Sequence, residues 1–176
     1  MLPARLFQFA SLALFLILAS SAGEEPSSTP GASGRAIFVK NCSVCHRGGG
    51  EGTRHVPPLN GSEWVQGDDR TLARILLRGL EGPIDVGGRE FISPLKMPAF
   101  SQLSDEEIAT VISYVRSFPK NGGAPVDARI VTAERSALVA ELGSHYAERR
   151  WTAPELVERR TRDASLFRRL RRLIFG

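Results

Sequence analysis

The clearest hydrophobic pattern in the chain lies in LSDEEIATVISYVRSF, residues 103–118. Its apolar residues recur at helical spacing, at Ile108, Val111, Ile112 and Val115. Ser104 and Glu107 have the S-x-x-E spacing of a capping box, and acidic residues in the first turn suit the positive end of a helix dipole. The pattern therefore predicts an amphipathic helix that begins after Ser104 and stops before Pro119.

A shorter amphipathic pattern lies in DDRTLARILLRGL, residues 68–80. Leu72, Ile75 and Leu76 are expected to face inward, Gly79 to end the helix, and the arginines to form mostly a solvated face. The stretch that follows, residues 79–100, is rich in Gly and Pro and lacks a long period. We expect it to be a loop.

The C-terminal residues combine apolar and basic positions. In LFRRLRRLIFG one helical face carries the apolar residues Leu166, Leu170, Leu173 and Ile174, and the other carries Arg168, Arg169, Arg171 and Arg172. TAPE, residues 152–155, has the spacing of a second capping box, with Trp151 and Leu156 placed as a hydrophobic staple. Residues 166–176 are therefore predicted to lie on an anionic membrane or an acidic partner, or else to pack their apolar face on the domain.

Charge separates this tail from the rest of the chain. Residues 127–176 hold 11 Lys and Arg against 7 Asp and Glu, a balance of +4, whereas residues 23–126 hold 11 against 12. The overall composition, 42% hydrophobic and 24% charged, is typical of a soluble globular protein. The N-terminal residues indicate export, so nucleic acid is not an expected partner of the basic tail.

The N-terminus has the order basic, apolar, small. Arg5 precedes the apolar run SLALFLILA, which is short for a membrane span, and Ser and Ala follow up to Ala22. This order predicts a signal peptide over 1–22 and a periplasmic protein, with an uncleaved membrane anchor as the alternative. The polar, Pro-containing residues 23–33 are expected to form a flexible leader.

The only two cysteines of the chain lie in CSVCH, residues 42–46. C-x-x-C-H is the attachment signature of a c-type haem: Cys42 and Cys45 add to the two vinyl groups, and His46 becomes the proximal iron ligand. A disulfide across two residues would constrain the unfolded chain little. A structural zinc site lacks its second pair of ligands, and a redox dithiol lacks its βαβ context.

The sixth iron ligand is sought among the remaining candidates. Met1 belongs to the predicted signal peptide, which leaves Met97 in KMPAF as the methionine of the mature chain. A thioether opposite histidine raises the haem potential and suits electron transfer. His55 and His145 are the alternatives, and a packing role is the alternative use of Met97.

Over residues 33–119 the chain resembles the class I mono-haem cytochromes c. The resemblance rests on CSVCH, on Met97 followed by Pro98, on Gly34 and Phe38 ahead of Cys42, and on Val111 and Tyr114 in the later helix. It implies an all-α fold in which N- and C-terminal helices cross and loops wrap one haem. The predicted division is a cytochrome c domain over 34–120 and a basic helical extension over 121–176.

Further site residues are expected around the haem. The VPPLNG turn resembles the family's P-x-L turn, which implies that the carbonyl of Pro57, or alternatively of Pro58, accepts a hydrogen bond from the proximal imidazole. Trp64 and Arg74 have N–H groups suited to a haem propionate.

These features predict an exported carrier of single electrons that breaks no substrate bond. The alternatives are a haem-based gas sensor or haem enzyme with a displaceable sixth ligand, and a structural module without haem. The loop over 79–100 is similar to that of haem domains linked to periplasmic dehydrogenases. The implied partners are therefore a quinoprotein dehydrogenase or a terminal oxidase.

Overall fold

The computed structural model describes the backbone of residues 30–175 and the side chains of residues 33–174. The predicted signal peptide, 1–22, lies outside the described residues. The elements, in chain order, are α1 (Pro30–Asn41), α2 (Ser43–His46), α3 (Glu63–Gln66), α4 (Asp69–Arg78), β1 (Ile84–Val86), β2 (Arg89–Phe91), α5 (Asp105–Arg116), α6 (Ala128–Leu142), a 3₁₀ turn (Gly143–His145) and α7 (Ala153–Phe175). The chain is mainly helical, as expected.

Helices α1 and α5 pack against each other at Gly34. A Cβ atom at this position would lie 2.7 Å from Cβ of Tyr114 and 2.9 Å from the carbonyl oxygen of Thr110. Only a residue without a side chain allows this approach. Phe38 is fully buried beside the contact, 5.6 Å from the Tyr114 ring and 5.4 Å from the Phe118 ring. Gly34 and Phe38, two of the residues on which the resemblance rests, thus lie at the contact between α1 and α5.

The ends of the helices follow their capping residues. The Ser104 side chain accepts from the Glu107 N–H, and the Ser104 N–H donates to the Glu107 carboxylate at 2.8 Å, so the predicted capping box is present. Helix α1 begins at Pro30, so residues 30–33 of the predicted leader are helical. Proline is compatible with the first turn of a helix because its missing N–H has no partner to lose there.

Helix α4 corrects one expectation about charge. Leu72 and Ile75 are buried as predicted, but Arg74 and Arg78 are each only 3% exposed. Arg74 donates from Nε to Glu134 on α6 at 2.7 Å and from Nη2 to Asp163 on α7 at 2.6 Å. Burial opposes the charge of Arg74, but these two carboxylates outweigh it and raise its pKa. The extension therefore covers Arg74 and Arg78, whereas the Arg70 side chain is 57% exposed.

The extension shares one apolar core with the cytochrome region. Val131, Leu138, Trp151 and Leu156 are buried in the same cluster as α4 and α5. At α7 the Glu155 carboxylate accepts a bond from the Thr152 N–H at 2.9 Å, which is one half of the predicted capping box. Residues 127–176 thus add helices to the domain, and only the far end of α7 stands clear of it.

Beyond Leu156 the apolar side chains of α7 lose their cover. Leu166, Phe167, Leu170, Leu173 and Ile174 are exposed. Of the two expectations for residues 166–176, packing back on the domain does not occur among the described residues. No helix in the described part of the chain is long and apolar enough to cross a membrane.

The predicted loop over 79–100 contains a small hairpin. Strands β1 and β2 pair antiparallel in the register Ile84 to Phe91, Asp85 to Glu90 and Val86 to Arg89. Gly87 and Gly88 form the turn with φ of 62° and 74°, values that favour glycine. The alternation in IDVGGREF and its Gly-Gly pair were the available signal for this hairpin.

Candidate haem site

An apolar cleft brings together most of the predicted site residues. Cys42, Cys45, His46, Pro57 and Met97 all line it. The other lining residues are Asn41, Val44, Val56, Leu59, Leu80, Glu81, Gly82, Ile84, Phe91, Ser93, Leu95, Lys96, Pro98 and Phe100. Residues from four separate parts of the chain therefore meet at one site: the end of α1 with α2, the turn near Pro57, the hairpin, and the loop around Met97.

His46 is oriented by a backbone carbonyl. Its Nδ1 lies 3.1 Å from the carbonyl oxygen of Pro57, so the turn uses Pro57 and not Pro58. When Nδ1–H donates to this carbonyl, the lone pair of Nε2 is left for a metal. Burial lowers the pKa of His46 below its ordinary 6.5, with the Pro57 bond acting in the opposite direction. Both effects of the site, the fixed tautomer and the neutral ring, suit an iron ligand.

Local backbone bonds place Pro57 beside His46. The Gly52 N–H donates to the His46 carbonyl at 3.0 Å, and the Thr53 N–H donates to the Val56 carbonyl at 2.8 Å. Gly52 has φ of 69°, and a Cβ there would lie 2.4 Å from the Val56 oxygen and 2.8 Å from the carbonyl carbon of Pro57. Glycine at this position is what allows the turn to close on the histidine.

The two cysteines are free thiols at the edge of the same cleft. Burial raises the pKa of Cys42 to about 11, and the neighbouring Cys45 adds to the shift. Before haem is attached, Cys42 is therefore a neutral thiol at physiological pH. Two unpaired thiols beside an oriented histidine are the groups that thioether attachment of haem requires.

Met97 enters the cleft from a loop that is bonded to the end of α4. Its N–H donates to the Leu80 carbonyl at 2.9 Å, and its own carbonyl accepts from the Leu80 N–H at 3.2 Å. Three residues later the Phe100 N–H donates to the Leu76 carbonyl at 2.7 Å. The backbone on both sides of the methionine is thus fixed to the same helix end.

The structure does not bring Trp64 or Arg74 to the cleft. The Trp64 indole N–H donates to the Asp85 carbonyl at 2.9 Å, and Arg74 is held by Glu134 and Asp163. Neither residue lines the cleft, so the expectation that they bind a propionate has no support in the geometry. The indole N–H of Trp64 and the Nε and Nη2 groups of Arg74 donate to other groups of the protein. The spacing of residues in the sequence does not show this.

The alternative iron ligands lie elsewhere too. His55 is exposed and does not line the cleft, and His145 is exposed, with Nδ1 2.6 Å from Glu148. Among residues 33–174, no group of three or more His, Cys, Asp and Glu side chains is arranged to hold a metal. Of the three candidates for the sixth ligand, Met97, His55 and His145, Met97 is the one that lines the cleft.

Sequence analysis missed much of the apolar lining. Ile84 and Phe91 come from the unrecognised hairpin, and Leu80 and Phe100 flank the methionine loop. A cleft with apolar walls, two thiols, one oriented imidazole and one thioether fits haem c in both polarity and donor set. The residues present therefore suit this cofactor.

Comparison with known proteins identifies the family of the chain. Residues 31–119 match the family model for cytochrome c. The chain is 38% identical over 100 residues to a cbb3-type cytochrome c oxidase subunit FixP of Azorhizobium caulinodans, covering 54% of this chain and 31% of that protein. It is 32% identical over 130 residues to the cytochrome c subunit of a quinone alcohol dehydrogenase of Gluconobacter oxydans, covering 70% of this chain and 26% of that protein.

A smaller relative gives a similar match. The chain is 37% identical over 89 residues to cytochrome c-552 of Thermus thermophilus, covering 48% of this chain and 66% of that protein. The match therefore spans about a third or less of the two larger subunits and about two thirds of the smaller cytochrome. The chain belongs to the cytochrome c family, with covalently bound haem c as its cofactor.

Proposed function

We propose that the chain is an exported carrier of single electrons that holds one haem c, with His46 and Met97 as the axial ligands. The observation that supports this most is the presence of Met97 in the same apolar cleft as Cys42, Cys45 and His46. When bound, the haem supplies the reversible one-electron couple of its iron. No bond of a substrate is broken.

The protein's own residues would set the properties of that couple. Pro57 holds His46 in one tautomer, which strengthens the imidazole as a donor. The Met97 thioether favours the reduced iron and raises the potential. Ile84, Phe91 and Phe100 contribute apolar surface that excludes water. The fixed orientation of His46 and the exclusion of water reduce the rearrangement that accompanies gain or loss of an electron.

A haem enzyme or gas sensor is a weaker candidate. Such a site needs an open sixth position and, for peroxidase chemistry, a distal acid–base group. The charged residues that line the cleft are Glu81 and Lys96. Nζ of Lys96 lies 2.7 Å from a carboxylate oxygen of Glu81, so the two form an ion pair. This bond to Lys96 lowers the pKa of Glu81, so the carboxylate is ionised at neutral pH and does not serve as a general acid.

The ligand assignment is tested on the full chain matured with a cytochrome c assembly system. We expect covalently retained haem and, in the ferric protein, the weak red absorption band of sulfur ligation. Met97→Ala should abolish the band, lower the potential and permit rapid carbon monoxide binding. Ile92→Ala, on the same loop, 64% exposed and not among the residues that line the cleft, is the matched control and should leave all three unchanged. An unchanged potential in Met97→Ala would reject the ligand, and absence of covalent haem would reject the whole proposal.

Export to the periplasm is supported by the order of residues in 1–22. The intact mass of protein recovered from the periplasmic fraction tests it. Loss of the first 22 residues indicates cleavage after Ala22, and retention of them in the membrane fraction indicates the anchor. Recovery only from the cytoplasm would contradict export.

The partners that we propose are redox proteins, either a periplasmic quinoprotein dehydrogenase or a terminal oxidase. The support comes from two relatives that are named as subunits of a quinone alcohol dehydrogenase and of a cbb3-type oxidase. Stopped-flow mixing of the ferric protein with a reduced quinoprotein dehydrogenase, and of the ferrous protein with an oxidase, measures both directions. No electron transfer above the rate of a non-partner cytochrome would contradict this assignment.

The exposed end of α7 is proposed to contact an anionic membrane surface. Leu166, Leu170 and Leu173 are exposed on one face, with four arginines beside them. Removing residues 166–176 should abolish binding to vesicles that contain anionic lipid and leave the haem spectrum unchanged. The control is the double variant Arg129→Gln and Arg160→Gln, which removes two exposed positive charges outside residues 166–176. This control should retain binding. Equal binding of the truncated protein would contradict the membrane contact.

A further inference from the structure

The C-terminal extension contacts the backbone around Met97 through residues 150 and 151. The Trp151 N–H donates to the Gly79 carbonyl at 3.2 Å, and the Trp151 carbonyl accepts from the Glu81 N–H at 2.8 Å. Leu80, between these two residues, is the same residue that forms both backbone bonds to Met97. Leu80 therefore lies between the extension on one side and the methionine on the other.

Arg150 makes the direct contact. Its Nε donates to the carbonyl oxygen of Met97 at 3.1 Å, across 53 residues of sequence. The same oxygen accepts from the Leu80 N–H at 3.2 Å, so two donors from different parts of the chain fix one peptide group. A bond to the backbone of a ligand-bearing residue restrains its position and leaves its side chain free for the metal.

Trp151 fixes the segment from which Arg150 extends. The indole is 5% exposed, and its Nε1–H donates to the Arg74 carbonyl at 3.1 Å. The Arg78 guanidinium lies 3.8 Å from the centre of the ring, and its Nε donates to the Arg149 carbonyl at 2.8 Å. The backbone of Arg150 is thus bonded to α4 on both sides, which makes its reach to Met97 a fixed geometry.

We propose that Arg150 is a positioning residue that keeps Met97 on the haem iron; this rests on the proposed ligation by Met97. A loop held in place pays less conformational entropy each time its thioether returns to the metal. Without the Arg150 bond, the loop samples more conformations and competes less well with other ligands. The extension, which the cytochrome fold does not require, thereby acts on the sixth coordination position.

The test is displacement of the methionine by imidazole in the ferric, full-length holoprotein. Imidazole binds as a neutral molecule, so the loss of the Arg150 charge affects its affinity less than it affects the haem potential. The affinity for imidazole is therefore the more direct measure of how firmly Met97 is held. Arg150→Met should bind imidazole about 3- to 10-fold more tightly than wild type, the range that follows from loss of one hydrogen bond. Arg150→Lys, which keeps the charge and a donor, should recover part of the difference. Arg160→Met, an exposed arginine of α7, is the matched control and should equal wild type.

A double variant separates positioning from a general effect on the fold. In the Met97→Ala background the loop no longer carries a ligand, so adding Arg150→Met should not change imidazole affinity. An equal increase in both backgrounds, or no increase in the wild-type background, overturns the proposal. If Arg150→Met does not fold, Arg150→Gln replaces it in both comparisons. Failure of the proposed function is distinct, because Met97→Ala itself would then leave the wild-type imidazole affinity unchanged.

Discussion

The two sides of the cleft are built from contacts of very different range. On the His46 side, the bond from the imidazole to Pro57 spans 11 residues, and Gly52 closes the same turn. On the Met97 side, the methionine backbone depends on Leu80 and on Arg150, the latter 53 residues away. One side is a local structure that the order of residues specifies. The other also depends on a contact with a residue far along the chain, beyond α6.

This difference has an energetic consequence. Contacts between distant residues must offset the entropy of closing a long loop before they stabilise anything. The Met97 side also consists of loop and short hairpin, whereas the His46 side adjoins the packed pair α1 and α5. We therefore expect the Met97 side to open at a lower free energy than the His46 side in the native protein.

The largest effect on this comparison should come from Glu134 on α6. It is 4% exposed and holds Arg74, which is equally buried on the helix that leads to Leu80. Glu134→Gln leaves the guanidinium in the core with Asp163 as its remaining carboxylate. The free energy of unfolding should fall by about 3 kcal/mol, the lower end for a broken buried pair because one partner remains. Denaturant unfolding of the holoprotein measures it.

Hydrogen exchange shows which side of the cleft bears this loss. In Glu134→Gln, amide protection at Leu80 and Met97 should fall by more than protection at His46 and Gly52. Glu158→Gln is the control, since Glu158 pairs with Arg162 at 3.8 Å on the surface and should matter little. Equal loss of protection on both sides of the cleft would show that α6 supports the domain as a whole.

A pair of glycines permits a matched test of the two sides. Gly52 and Gly79 both have positive φ, and a Cβ atom would lie 2.4 Å from the Val56 oxygen in one case and 2.3 Å from the Met97 oxygen in the other. Replacement of either by Ala should cost about 2 kcal/mol, through backbone strain and displacement of the facing carbonyl. Gly87→Ala isolates the strain, since φ there is 62° and no atom lies within 4 Å of the added Cβ.

The two glycine variants should differ in their spectra. Gly79→Ala should weaken the sulfur band and raise imidazole affinity, because the displaced carbonyl belongs to Met97. Gly52→Ala should retain the band and disturb the proximal hydrogen bond of His46, which the iron–histidine vibration of the ferrous, five-coordinate haem reports when Gly52→Ala is placed in the Met97→Ala background. If both variants lose the band to the same extent, the two sides are coupled and the comparison fails.

The same division explains what could be predicted from the sequence. The haem motif, the Pro57 contact, the Gly34 crossing and the α5 capping box each depend on a few neighbouring residues or on a known helix pair, and the structure contains each of these arrangements. The destination of Arg74 depends instead on Glu134 and Asp163, far along the chain. The amphipathic pattern of α4 cannot show that a second layer of helices covers its arginines.

The hairpin and the Arg150 contact were unpredictable to different degrees. Gly87 and Gly88 between alternating residues were a usable signal for the hairpin. Nothing in RRWT marks Arg150 as a partner of Met97, because the bond is to a backbone carbonyl, which any residue provides. Interactions with backbone groups over long range leave no pattern of side-chain types for a single sequence to reveal.

The smallest expected effect concerns the cap that begins α7 next to Trp151. Burial opposes the charge of Glu155, but bonds from the Thr152 N–H and hydroxyl, with Arg149 nearby, outweigh it and lower the pKa of this carboxyl below 4.5. A carboxylate whose pKa is lower in the folded state stabilises the fold above pH 4.5, and this contribution disappears as the pH falls through the folded value. Glu155→Gln should therefore lower the free energy of unfolding by about 0.5 kcal/mol at neutral pH and by nothing in acid.

The measurement is unfolding across this pH range, with Glu158→Gln as the control for one lost surface carboxylate. The free energies of unfolding of the wild type and of Glu155→Gln should converge as the pH falls. Parallel curves would mean that the cap stabilises α7 without its charge.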